Sequence, residues 1–64
     1  MNYALEVKKK YRHAICYPGG QGYLYIILEG PYYGSNGLGY GNSEHTAWQN
    51  AYSNLILEEL KKWN

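Results

Sequence analysis

Side chains able to act as nucleophile, general base or metal ligand are few in this sequence, and they are spread out. There is one cysteine, Cys16, two histidines, His13 and His45, and no aspartate. Of the carboxylates, Glu6, Glu29 and Glu44 are scattered, while Glu58 and Glu59 sit near Lys62 at helical spacing and can pair with it. A Cys/His nucleophile pair needs both side chains within reach of each other. Cys16 and His13 have opposite parity in a stretch that reads as extended, so they face apart. His13 alone on a strand lacks a positioned partner for work as a base. One Cys and two His offer no zinc-ligand spacing. The chain reads as a non-enzyme, without metal or cofactor.

A second chemical possibility lies in Gly37-Leu38-Gly39-Tyr40-Gly41, which runs towards Ser43 and His45 at the start of a helical pattern. Backbone N–H groups freed by glycine beside a helix N-terminus favour an anion. Gly37, Gly39, Tyr40, Gly41, Ser43 and His45 therefore form a candidate anion or nucleotide site. The spacing is neither the dinucleotide fingerprint nor a Walker loop, whose lysine is absent here. Glycines that simply permit tight turns are the plainer reading.

The elements that would position these groups follow from period and punctuation. Alternation at Tyr3, Leu5 and Val7, resumed at Tyr11, His13, Ile15 and Tyr17, predicts extended structure from 3 to 17. Residues 3–10 are either a prolongation of the 11–17 strand past a bulge or a separate strand. Pro18-Gly19-Gly20-Gln21-Gly22 is a turn, and Tyr23–Glu29 is rich in aromatic and β-branched residues, so 11–17 and 23–29 should pair as a hairpin. Asn36-Gly37 signals another turn, with a short third strand near Leu38–Tyr40. The last third is a helix, capped by Asn42 or Ser43, with Glu44 near its positive end and Lys61-Lys62 near its negative end. Ala47, Trp48, Ala51, Tyr52, Leu55 and Ile56 form its broad apolar face, from which Leu57 and Leu60 point away.

The expected fold is α+β, a single domain over 1–64: a three-stranded, mostly antiparallel sheet with one C-terminal helix on one face, βββα. By parity, Leu24, Ile26 and Leu28 should join Ala14 and Cys16 under the helix. The opposite parity leaves Tyr11, His13, Ile15, Tyr17, Tyr23, Tyr25 and Ile27 on a face with no element to cover it. Contiguous exposed aromatic and aliphatic surface normally marks an interaction site. That face, with Leu57 and Leu60 as a second contact, is the candidate interface for a second copy or a protein partner.

Composition agrees. Nine tyrosines, two tryptophans and no phenylalanine favour half-wet surfaces over dry cores. Sixty-four residues bury too little for comfortable stability without a disulfide, a metal or a partner, and a single cysteine excludes an internal disulfide. Self-association is expected. The net charge of +1 excludes an acidic nucleic-acid mimic and gives no general drive towards duplexes. Four of the six positive charges form the run Lys8-Lys9-Lys10-Tyr11-Arg12, so single-stranded nucleic acid stays a third reading, behind protein and small ligand. No signal-peptide core or membrane-spanning run is present, and with an unpaired cysteine a cytoplasmic protein is expected.

The pattern Gly41-x-Ser43-x-x-x-Ala47-x-x-Asn50-Ala51-x-x-x-Leu55 resembles the signature of HicB-like antitoxin domains. Gly22-Tyr23 opening an alternating strand and Tyr3 opening the first strand resemble the start of the same family. The likeness covers about two-thirds of the chain. Where that family carries Pro-Asp-x-Pro-Gly after its second strand, this chain has Glu29-Gly30-Pro31-Tyr32-Tyr33-Gly34, and the family's C-terminal DNA-binding module is not expected here. The resemblance implies a partial RNase H-like βββα fold without catalytic carboxylates. It also implies a binder or inhibitor of a protein partner, often oligomeric, rather than a transcriptional autoregulator. Size and style are similar to small phage and mobile-element proteins, some of which block host defence.

Overall fold

The computed structural model describes residues 1–19, 22–31 and 34–62. The middle of the expected Pro18–Gly22 turn, Tyr32-Tyr33 and Trp63-Asn64 lie outside the described residues. Helix α1, Tyr3–Lys10, comes first, then strands β1, Ile15–Pro18, β2, Tyr25–Leu28, and β3, Gly37–Gly41, and finally helix α2, Glu44–Lys62. The sheet is antiparallel in the order β1-β2-β3. The three-stranded sheet and C-terminal helix are thus those read from the sequence, preceded by a helix where extended structure was expected.

That correction has a local cause. The Asn2 side chain accepts the Leu5 N–H at 3.0 Å, and its carbonyl accepts the Glu6 N–H at 3.1 Å. Glu6 lies in the first turn and Lys8, Lys9 and Lys10 in the last, each suited to the dipole end it occupies. Tyr3, Val7 and Tyr11 satisfy a spacing of four as well as a spacing of two, so they share a helix face. Leu5 breaks the tie: it belongs to the alternating set but not to the helical one, and it is exposed. Tyr11 and His13 therefore precede the sheet and do not belong to its first strand.

Helix α2 begins at a Ser43 cap, whose hydroxyl accepts the Thr46 N–H at 3.1 Å while its carbonyl accepts the Ala47 N–H at 2.9 Å. Both helices lie on one side of the sheet. The core between them and the strands comprises Val7, Ala14, Ile27, Ala47 and Ala51, with Tyr11, Cys16, Tyr25, Leu38, Trp48 and Tyr52 packed around it. Leu55 is buried as expected, whereas Ile56 sits at the exposed margin.

The hairpin register corrects the expected faces of β2. Cys16 pairs with Ile27 and Tyr17 with Ile26, so even positions of β1 oppose odd positions of β2. Ala14 and Cys16 point towards the helices as expected, but they bring Tyr25 and Ile27 with them, and Ile27 is 0% exposed. Leu24, Ile26 and Leu28 move to the far face; Leu24 is 61% exposed. A one-residue difference in pairing turns every side chain of a strand over.

Two positions of β3 lie directly under α2 and are glycines for a steric reason, while Leu38, left without a partner by a bulge opposite Ile27 and Leu28, also packs on the core. A Cβ on Gly39 would lie 2.4 Å from the Ala51 nitrogen, and one on Gly41 would lie 2.8 Å from the Ala47 nitrogen. The backbone of α2 therefore rests directly on β3. Four residues of helix rise about 6.0 Å and two residues of strand about 6.8 Å, so this contact repeats once in register.

Candidate functional site

The sheet face turned away from both helices carries Ile15 and Tyr17 from β1, Ile26 and Leu28 from β2, and Tyr40 from β3, which pairs with Ile26. Tyr23, just before β2, stacks its ring on that of Tyr40 with centroids 5.0 Å apart. Leu28 is buried although it lies outside the core cluster, because the chain after β2 folds back over this side. The Tyr17 hydroxyl pins that return by donating to the Pro31 carbonyl at 2.8 Å. Between them runs a shallow groove of about 340 Å³, lined by Tyr17, Pro18, Gly19, Tyr23, Ile26, Leu28, Ser35 and Gly37. Among these and the neighbouring Leu24 and Tyr40, no side chain carries a charge. Leu24 and Tyr40, at 61% and 59% exposure, stand at the rim as bare apolar surface.

Of the residues assigned to an interface from the sequence, Ile15, Tyr17 and Tyr23 belong to this face. Tyr25 and Ile27 do not, because the register turns them inward. Tyr11 closes the end of α1, packs on the core and donates its hydroxyl to Glu58 Oε2 at 3.2 Å. Burial and the Glu58 carboxylate raise its pKa above the ordinary phenol value. His13 is exposed in the turn before β1, apart from the patch. Leu57 and Leu60 are exposed on α2 beyond the sheet contact. Leu24, Ile26, Leu28 and Tyr40 are the members the sequence reading missed. The signal that could have placed them is the pair of glycines at 39 and 41: their parity must face a helix, which sets Tyr40 outward and fixes β2 through pairing.

The glycine loop is corrected in the same way. Gly39 and Gly41 are occupied by the backbone of α2, so they are not free to cradle a ligand. Gly37 meets the Ile26 side chain at 3.5 Å on the outer face. Ser43 is engaged as the cap, and His45 stacks edge-on against Tyr3 with centroids 5.5 Å apart. Tyr40 alone of that set belongs to the exposed patch.

The three lysines of the basic run have partners within the chain, while Arg12 is exposed. Lys9 binds Glu6 at 2.9 Å, Lys10 lies 3.7 Å from Glu58, and Lys8 sits 5.4 Å above the Trp48 ring. Cys16 is half-buried against the core, and desolvation, reinforced by Glu44, raises its pKa, holding the thiol neutral. Among the described residues, no three His, Cys, Asp or Glu side chains gather into a metal-binding group, and no helix is long and apolar enough to cross a membrane. Compared with known protein families, curated proteins and solved structures, the chain matches none.

Proposed function

We propose that this is a small non-catalytic binding protein that works through its outer sheet face, and that the first occupant of that face is a second copy of the chain. The observation that carries this reading is the uncharged patch of Tyr17, Tyr23, Leu24, Ile26 and Tyr40 on the side opposite both helices, with Leu24 and Tyr40 more than half exposed. The thin core supplies the drive: Ile27 and Val7 are the largest fully buried side chains, and much of the rest is alanine and glycine. A domain with so small a core gains most from burying apolar area against a partner. Tyrosine suits such a contact because its ring is buried while its hydroxyl stays wet.

The biological form that the resemblance around Gly41–Leu55 supports is an antitoxin-like inhibitor of a protein; size and composition similar to small phage proteins support one directed at host defence, and the unpaired Cys16 supports action in the cytoplasm. The ligand-binding alternative has lost Gly39 and Gly41 to packing. Lys8, Lys9 and Lys10 have partners within the chain, and single-stranded nucleic acid stays the third reading.

The test is the unfolding midpoint at two protein concentrations a hundredfold apart. Dimerisation through this face makes the wild-type midpoint rise with concentration. Leu24→Ser combined with Tyr40→Ser, both at exposed positions, keeps the fold and removes that dependence. A midpoint that is the same at both concentrations in the wild type contradicts the proposal.

A further inference from the structure

β3 is an edge strand, the last in the order β1-β2-β3. An edge strand offers its unpaired backbone groups to any other extended chain, and small domains with little core are exposed to that hazard. Two side chains of α2 reach this strand. The Asn50 amide donates to the Tyr40 carbonyl at 2.7 Å, and the Asn54 amide donates to the Leu38 carbonyl at 2.9 Å. The two asparagines are four apart on the helix and their acceptors two apart on the strand, the same repeat that places Ala47 on Gly41 and Ala51 on Gly39. One register therefore serves both the packing and the hydrogen bonds. With β2 on one side of β3, amides arriving from α2 take the strand from its open side.

We infer that Asn50 and Asn54 form a side-chain seal on the β3 edge, standing in for the next strand and preventing strand-to-strand addition by a second copy of the chain. A helix packed so close to β3 needs only glycine and alanine at the contact, and leucine at 50 and 54 would serve α2 equally well as a helix former. The amides at these positions are accounted for by the carbonyls they reach. The consequence for association is directional: copies meet through the outer face, and the β3 edge is closed to them. The seal does not depend on the outer-face reading, and the two are tested by different variants.

The experiment compares Asn50→Ala/Asn54→Ala with Asn50→Asp/Asn54→Asp by sedimentation across a hundredfold range of concentration, with circular dichroism to confirm folding. Both pairs lose the donated hydrogen bonds. The alanine pair leaves the edge bare, and its mass should climb beyond the wild type's, by at least a doubling at the highest concentration. The aspartate pair puts charge on the edge, which guards it, and its mass should not exceed the wild type's. If the alanine pair folds and keeps the wild-type mass, the seal is overturned. It is also overturned if both pairs gain mass alike, since association would then follow from lost stability. Should the alanine pair not fold, Asn50→Ala and Asn54→Ala are read singly, each expected to give a smaller climb, and unchanged mass in both overturns the inference. Leu24→Ser/Tyr40→Ser added to the alanine pair should leave the climb in place, which separates it from the outer face.

Discussion

At position 39 a single methyl group separates a packed molecule from a strained one. Its Cβ would meet the Ala51 backbone at 2.4 Å, and backbone cannot swing aside as a side-chain end can. Gly39→Ala should therefore cost about 3 kcal/mol, at the upper end of what overpacking costs, read as a lowered denaturation midpoint. A variant as stable as the wild type would mean that α2 does not rest on β3. Tyr11 makes a gentler test. Its hydroxyl bond to Glu58 links the end of α1 to the last turns of α2, and Tyr11→Phe should lose roughly 0.5–1 kcal/mol. The pH dependence has a definite sign. The Tyr11 phenol has a higher pKa folded than its ordinary value of 10.0, so the folded state holds the proton more tightly. Its contribution is complete below the unfolded pKa and is lost as pH rises through the folded one. The gap between wild type and Tyr11→Phe should accordingly be constant between pH 6 and 8 and change in the alkaline range. A gap that varies between pH 6 and 8 would assign the effect to another group.

At the scale of elements, α1 is part of the core even though it makes no strand. Val7 is 0% exposed and clusters with Ile27, Ala47 and Ala51, while Tyr3 packs against both His45 and Tyr52 of α2 with ring centroids 5.5 Å apart. Val7→Ala should cost about 2 kcal/mol, in keeping with a cavity opened in a fully buried site. A cost within 0.5 kcal/mol, typical of surface changes, would show α1 to be an appendage. This element was also the least legible in the sequence. Residues 3, 7 and 11 fit a period of two and a spacing of four equally, and eight residues are too few for the pattern alone to decide. The cap at Asn2 and the charge order from Glu6 to Lys10 carried the information, and both were present to be read. β3 and α2 were more legible. The short third strand near Leu38–Tyr40 and a Ser43 cap before Glu44 are as the structure has them. The Asn36-Gly37 turn is not: Gly37 already opens β3, neither residue has a positive φ, and the Asn36 carbonyl accepts the Glu29 N–H instead. The Gly41-to-Leu55 pattern behind the family resemblance has a physical account here as well: its small residues are the points where helix and strand backbones touch, and its Asn50 is one half of the edge seal.

For the whole molecule, a sheet face turned away from the helix followed from counting elements, since one C-terminal helix covers only one face of a three-stranded sheet, and the unforeseen α1 joins α2 on that same side. Which residues occupy that face did not follow. Tyr25 and Ile27 exchange places with Leu24 and Ile26 when the hairpin shifts by one, and the turn that sets the shift lies in a stretch of proline and glycine with no apolar pattern of its own. The correction alters the character of the surface less than its membership. It keeps Ile15, Tyr17 and Tyr23, gains Leu24, Ile26 and Tyr40, and carries no charge. A face of that kind on so thin a core is the central claim, and the solution mass of the wild-type chain tests it most directly. Sedimentation across a hundredfold range of concentration should show a mass rising from monomer towards dimer, or a dimer throughout, with Leu24→Ser/Tyr40→Ser folded and monomeric over the same range. A wild-type chain that stays a folded monomer at every concentration would contradict it.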